Sequence, residues 1–255
     1  MFKKLVNILF KRSVAEKKLL LKDYFLANRT ENIARAIQLI KKVGLDRDPD
    51  KFIIDVGAFD GETSIMLSRA FPRIQIISFE ANEAVFKMAT VNCKPFPLIH
   101  VFNFAISNKE ELLPFFVTSN KVSSSLNSLN EQDDSVLDFK GQLQVEFKTE
   151  VPAKKLDHFT AGKNILLLKI DTQGHELKVL EGANETLKRT DLVLLEMSNH
   201  DIYKDGSKYF ELDAQLRAQD FTLVDIIVSY RKNGIVMKEF DAIYAKKNLT
   251  SLLNT

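Results

Sequence analysis

The chain has 255 residues, 45% of them apolar, with 36 Lys and Arg against 34 Asp and Glu. The formal charge of +2 is too near balance to argue for nucleic acid, and a single cysteine, Cys93, excludes an internal disulfide framework and a cysteine-rich zinc site. No apolar run reaches the ~20 residues of a membrane span, and the length fits one large α/β domain, alone or with an appendage.

Residues 1–50 differ from the rest: they hold 12 Lys and Arg against 6 Asp and Glu, a net of +6, which leaves −4 on the remainder. Phe2, Leu5, Val6, Leu9 and Phe10 recur at helical spacing between Lys3, Lys4, Lys11 and Arg12. Such a basic amphipathic helix can rest on an anionic membrane or pack on its own domain or a second subunit. Its short apolar face favours packing. No signal sequence is expected, because Lys and Asn interrupt Phe2–Phe10 and no small-residue cleavage site follows. The expected compartment is the cytoplasm, with any peripheral contact at the inner face of the membrane. A second helical pattern, Asn32–Val43, carries Ile33, Ala36, Ile37 and Ile40. Pro49 marks the entry to the main domain, expected over residues 51–248, with 1–50 as a helical extension.

Ile53-Ile54-Asp55-Val56-Gly57-Ala58-Phe59-Asp60-Gly61-Glu62-Thr63 reads as a buried strand, a tight turn and the start of a helix. Gly57 has backbone angles open that other residues avoid. The turn is expected to gather unpaired N–H groups at a helix N-terminus. A dinucleotide site needs G-x-G-x-x-G, with a glycine that admits a pyrophosphate; Phe59 stands there instead. The resulting D-x-G-x-x-x-G suits a nucleoside ligand without a phosphate, such as S-adenosylmethionine (SAM). Glu80 ends the next apolar run, Ile74–Phe79, roughly 20 residues on, where an acid holds ribose hydroxyls in doubly wound sheets.

Further apolar runs at Leu98–Ala105, Ile165–Ile170 and Leu192–Leu195 are continuous, like Phe52–Val56, as expected of parallel strands covered on both faces. Helical stretches at Thr63–Ala70, Glu83–Asn92 and Glu176–Arg189 alternate with them, which predicts right-handed crossovers. Cys93 falls at the end of the second, as an ordinary buried thiol. Residues 107–160 break this rhythm with short strands at Leu113–Thr118 and Gln144–Val151. The polar segment between them, with Ser123, Ser124, Ser125 and Ser128, reads either as a lid or substrate loop or as a plain surface hairpin. A helix at Tyr209–Gln219 precedes strands at Phe221–Tyr230 and Phe240–Lys246, with an Asn233-Gly234 turn between them.

The expected fold is therefore α/β: a doubly wound, mostly parallel, seven-stranded Rossmann-like sheet with an antiparallel C-terminal hairpin. That arrangement is similar to class I SAM-dependent methyltransferases. Its strand ends carry Asp55, Glu80, Asn103 with Ala105, Asp171 and Glu196, a concentration of polar groups that points to a site. Leu168-Lys169-Ile170-Asp171-Thr172-Gln173-Gly174-His175-Glu176, running on to Val179-Leu180-Glu181-Gly182-Ala183, resembles the signature of the FkbM family of SAM-dependent methyltransferases. Phe102–Ser107 and Leu194–Met197 resemble it too, over about residues 52–200. One departure is Gln173, where the family usually has glutamate.

The resemblance implies that Asp55, Gly57 and Gly61 line the methionine end of SAM, with Ala58 and Phe59 in the same turn. Glu80 and the adjacent Ala81 would serve the ribose, and Asn103 and Ala105 the adenine side. It implies a hydroxyl acceptor on a sugar, glycan or small metabolite, with Asp171 facing the methyl group. An unactivated hydroxyl needs a base as its proton leaves. Asp171, His175, Glu196 and His200 are the candidates, with His175 favoured because a helix N-terminus disfavours a charged imidazole. Asp171, Glu196 and Asn199 are oxygen ligands that suit Mg²⁺, but no compact acidic pair follows the fifth strand, and no metal site is expected. Two other classes compete. An NAD-dependent oxidoreductase is disfavoured by Phe59 and the hairpin; a non-catalytic SAM-binding scaffold is compatible with the basic N-terminus and Gln173.

Overall fold

A computed structural model of the chain describes residues 30–133, 136, 143–232 and 235–253. The helix read at Phe2–Arg12 and the Asn233-Gly234 turn lie outside them. In chain order the elements are α1 (30–43), β1 (Phe52–Val56), α2 (Glu62–Ala70), β2 (Gln75–Phe79), α3 (Glu83–Cys93), β3 (Ile99–Phe102), β4 (Ala105–Ile106) and β5 (Leu112–Thr118). They continue with β6 (Val145–Lys154), α4 (Leu156–Thr160), β7 (Ile165–Ile170), α5 (Glu176–Glu181), α6 (Asn184–Lys188), β8 (Thr190–Ser198), α7 (Tyr209–Ala218), β9 (Phe221–Lys232), β10 (Val236–Lys246) and α8 (Thr250–Leu253).

Seven strands form one sheet in the order β3-β2-β1-β7-β8-β10-β9. The first five pair in parallel, and β10 runs antiparallel to both β8 and β9. Successive side chains of a strand point to opposite faces, so each strand feeds two cores. Ile54, Val56, Leu168 and Ile170 pack with Val179, Leu180 and Leu212 on one face. Ile53 and Leu167 pack with Leu67, Phe71 and the α1 residues Ile33, Ala36 and Ile40 on the other. The C-terminal half of the basic extension thus shares the sheet's core. Every residue of β7 is buried, which explains its unbroken apolar run. The connections after β1 and β7 leave in opposite directions along the sheet, so a crevice opens at the carboxyl ends of these neighbours.

Several boundaries differ from the sequence reading, and three of them shape the site. Leu98–Ala105 is not one strand: β3 ends at Phe102, and Ala105–Ile106 pairs with β6 in a second sheet of order β4-β6-β5. The chain turns there because the Asn103 side chain donates to the carbonyls of Glu80 (2.8 Å) and Ala81 (3.1 Å). Glu176–Arg189 is two helices, broken at Gly182, where a Cβ would collide with the Ser107 carbonyl. β8 runs on to Ser198, past the expected Leu195, because β10 pairs with it through Glu239.

Candidate active site

The turn after β1 spends its N–H groups internally. Gly57 and Ala58 both donate to the Phe79 carbonyl (3.0 and 2.9 Å), and Gly61 donates to that of Ala58 (2.9 Å). Phe59, at φ +49°, donates to Glu80 Oε2 at 2.9 Å. The expectation of N–H groups free for a ligand fails at these four positions, and with it any cradle there for a pyrophosphate. Gly57 takes the left-handed backbone angles the sequence suggested, and a second constraint adds to them. At φ +78° a Cβ there would lie inside the van der Waals shell of the Asp171 carbonyl oxygen. The glycine allows β1 and β7 to close up beneath the site.

Glu80 is clasped at its other oxygen by the Asn82 N–H (2.8 Å). Burial pushes its pKa up from 4.5 to about 7, against the lowering effect of the two N–H groups and Lys169. The folded-state value exceeds the unfolded one, so this contribution to stability is complete below about pH 4.5 and is lost as pH rises towards 7. Burial raises Asp241 to about 7 as well. The melting temperature of the unliganded chain should therefore fall over this pH range. Glu80→Gln should flatten the fall, and an unchanged slope would remove Glu80 as a titrating group.

Asp55 does not reach the cleft. It is fully buried, with Oδ2 accepting from the Ser64 hydroxyl at 2.6 Å and Oδ1 facing Lys169 Nζ at 3.3 Å. Lys169 also donates to the Gly57 carbonyl (2.9 Å) and stands 3.5 Å from Asp171 Oδ2. This buried lysine links the first turn to the fourth parallel strand of the chain. Its signal in the sequence was a cation inside the apolar run Ile165–Ile170. Ala58, Gly61 and Asn103 likewise support the site from behind; a Cβ at Gly61 would lie 2.6 Å from Cys93 Sγ. Gly57, Phe59, Glu80, Ala81 and Ala105 do line the cleft, which encloses about 650 Å³ including its open mouth.

The insertion supplies the opposite wall through Lys121, Val122, Ser124 and Leu126. This part of it is fastened by side-chain hydrogen bonds. Ser125 Oγ donates to the Gln173 carbonyl at 2.7 Å, and Asn127 Nδ2 donates to those of Lys204 (2.9 Å) and Asp205 (3.1 Å). Phe79 and Phe104 also line the cleft, and both pack edge-on or tilted against Phe159 of α4, with ring centroids 4.8 and 5.6 Å away.

Asp171, Gln173 and His175 also line this cleft. Asp171 Oδ1 accepts from Gln173 Nε2 at 2.9 Å. It does not cap α5. Glu176 gathers the intervening turn, accepting from the N–H groups of Thr172 (2.9 Å) and Gly174 (3.0 Å). His175 is held at both ring nitrogens. With Asn127 Nδ2 committed to carbonyls, its Oδ1 takes the Nδ1–H (2.8 Å), which leaves Nε2 to accept from the Ser107 hydroxyl (3.0 Å). Its pKa falls to about 4, chiefly through burial and then the Lys178 charge. The imidazole is neutral as expected, but burial is the main cause, and its basic nitrogen is engaged. Glu196 accepts from Gln173 Nε2 at 2.9 Å and lines a second cleft of about 320 Å³ including its open mouth, shared with His200 and Glu239. Burial first, then Asp171, raise its carboxyl well above the ordinary range. His200 is buried between Glu239 (3.1 Å) and Asp133 (3.5 Å), away from the main cleft. No cluster of three or more His, Cys, Asp or Glu side chains placed to hold a metal ion occurs among the described residues.

Comparison with known proteins matches residues 55–223 to the methyltransferase FkbM domain, more than half of the chain. The chain is 27% identical over 176 residues to the 2-O-methyltransferase NoeI of Sinorhizobium fredii, covering 64% of this chain and 69% of that protein. The magnesium protoporphyrin IX methyltransferase ChlM of Synechocystis PCC 6803, solved with bound S-adenosylhomocysteine, superposes with a TM-score of 0.51 at 7% identity, over 89% of this chain and 86% of that one. Methyltransferase FkbM of Methylobacillus flagellatus superposes with a TM-score of 0.49 at 12% identity; the match covers 76% of this chain and 44% of the other. The strand order, the Lys169–Glu176 turn and the family match agree: the chain belongs to the FkbM family of SAM-dependent methyltransferases.

Proposed function

We propose that the chain transfers a methyl group from SAM to a hydroxyl of a sugar, glycan or other small metabolite. The observation that carries this reading is the pairing of Glu80 with Asp171 along one cleft whose turn offers no phosphate cradle. Glu80 oxygens that each accept one N–H retain a lone pair for a ribose hydroxyl, and Phe79 and Phe104 offer apolar faces to adenine. SAM held there supplies an electrophilic methyl group. Asp171 would orient the acceptor hydroxyl and accept its proton as the oxygen takes the methyl group. Lys169 and Gln173 hold that carboxylate in place. His175, with both nitrogens engaged, forms wall rather than base. Similarity to a protein named as a 2-O-methyltransferase supports oxygen as the acceptor atom.

The test uses SAM labelled in its methyl group and a panel of polyhydroxylated acceptors. The reading expects label in a product that survives mild alkali, as a methyl ether does. Label released as methanol would mark a carboxyl acceptor instead, and no transfer to any polyol would count against a hydroxyl.

A further inference from the structure

We propose that Gln173 fixes the Asp171 carboxyl group: its one neutral amide bridges Asp171 and Glu196, where a third acid would require a further proton or a divalent cation. The bridge stands apart from the methyl-transfer reading, and only its bearing on the acceptor rests on that reading. Gln173 sits at φ +58°, and its side chain reaches Asp171, just after β7, and Glu196 of β8. Its Nε2 lies 2.9 Å from both Asp171 Oδ1 and Glu196 Oε2, and its Oε1 accepts from the Tyr203 hydroxyl at 2.8 Å. An amide nitrogen has two hydrogens, one for each carboxyl group. The flipped amide would aim its oxygen at both.

The surroundings make the charge at this position consequential. Glu196 feels Asp171, Glu239 and Asp241 from the neighbouring strands and Glu176 from α5. Tyr203 closes the far side. Lys169 stands beside the other oxygen of Asp171. A carboxyl group in place of the amide would crowd a third acid between Asp171 and Glu196 and remove both donors. Its folded-state pKa would rise above the unfolded value, so the penalty would be small in acid and grow as pH rises.

The experiment compares melting temperatures of the full chain, Gln173→Glu and Gln173→Leu from pH 5.5 to 8.5, in EDTA or with magnesium. Gln173→Glu should melt within about 2 °C of wild type at pH 5.5 and fall a further ~5 °C behind by pH 8.5, about 1–2 kcal/mol for a domain of this size. Magnesium should raise its melting temperature and leave wild type unmoved. Gln173→Leu, which loses the donors without adding charge, should show a deficit that varies little with pH. A flat deficit for Gln173→Glu, or an equal magnesium response in wild type and variant, would overturn the proposal. SAM binding by wild type, measured alongside, reports separately on the cofactor cleft: its absence would defeat that reading and leave the bridge standing.

Discussion

Asp171→Asn is expected to lower kcat by about 10²–10⁴-fold, the usual worth of a positioned acid–base group, while SAM affinity changes by less than about tenfold. The substitution keeps the shape and one acceptor atom but removes the charge that orients a hydroxyl and receives its proton. The Gln173 amide at 2.9 Å would keep the one remaining acceptor oxygen, while the new NH2 group would face Lys169 in place of Oδ2, so the folded protein should be somewhat less stable but still able to bind SAM. His175→Ala offers the contrast. It strands the Ser107 hydroxyl and Asn127 Oδ1, which costs about 1–3 kcal/mol of stability, but turnover should fall less than tenfold once the protein is folded. Single-turnover rates with an acceptor that supports transfer separate the two variants. A wild-type rate for Asp171→Asn, or a His175→Ala defect as deep as that expected of Asp171→Asn, would transfer the acid–base role to the histidine.

Gly57→Val should have the largest effect on the fold near the site. Its Cβ meets the Asp171 carbonyl, which is backbone and cannot rotate away, and its φ of +78° is strained for a β-branched residue. A backbone collision of this kind falls among the most destabilising single changes, about 4 kcal/mol or more, or roughly a 10 °C fall in melting temperature. Because β1 would part from β7, the Gly57 carbonyl would also leave Lys169 and the response to SAM should vanish. Gly57→Ala should give an intermediate loss. A Gly57→Val chain that melts within 2 °C of wild type would show that the two turns do not need to approach this closely.

The sheet was legible because burial writes itself into the sequence. Continuous apolar strands such as Ile165–Ile170 can only be covered on both faces, and the acids that follow them mark the ligand edge. The division of labour among those acids was not legible. Asp55 and Glu80 both end apolar strands, yet one turns inward to Ser64 and Lys169 while the other faces the cleft. That difference arises from strand register and from partners far away in the chain. Ser107, Asn127 and Tyr203 were missed for the same reason. Each is an ordinary polar residue until the fold brings it to His175 or Gln173. Lys169 was the one available clue, since a lysine amid buried leucines implies a paired charge.

Calorimetric titration of the full chain with SAM, with NAD as the comparison, tests the central claim most directly. A cleft built on Glu80 and a turn without free N–H groups at Gly57, Ala58, Phe59 and Gly61 predicts saturable one-to-one binding of SAM and no measurable heat from NAD. NAD binding as tightly as SAM, or a chain that ignores SAM at millimolar concentration, would contradict it.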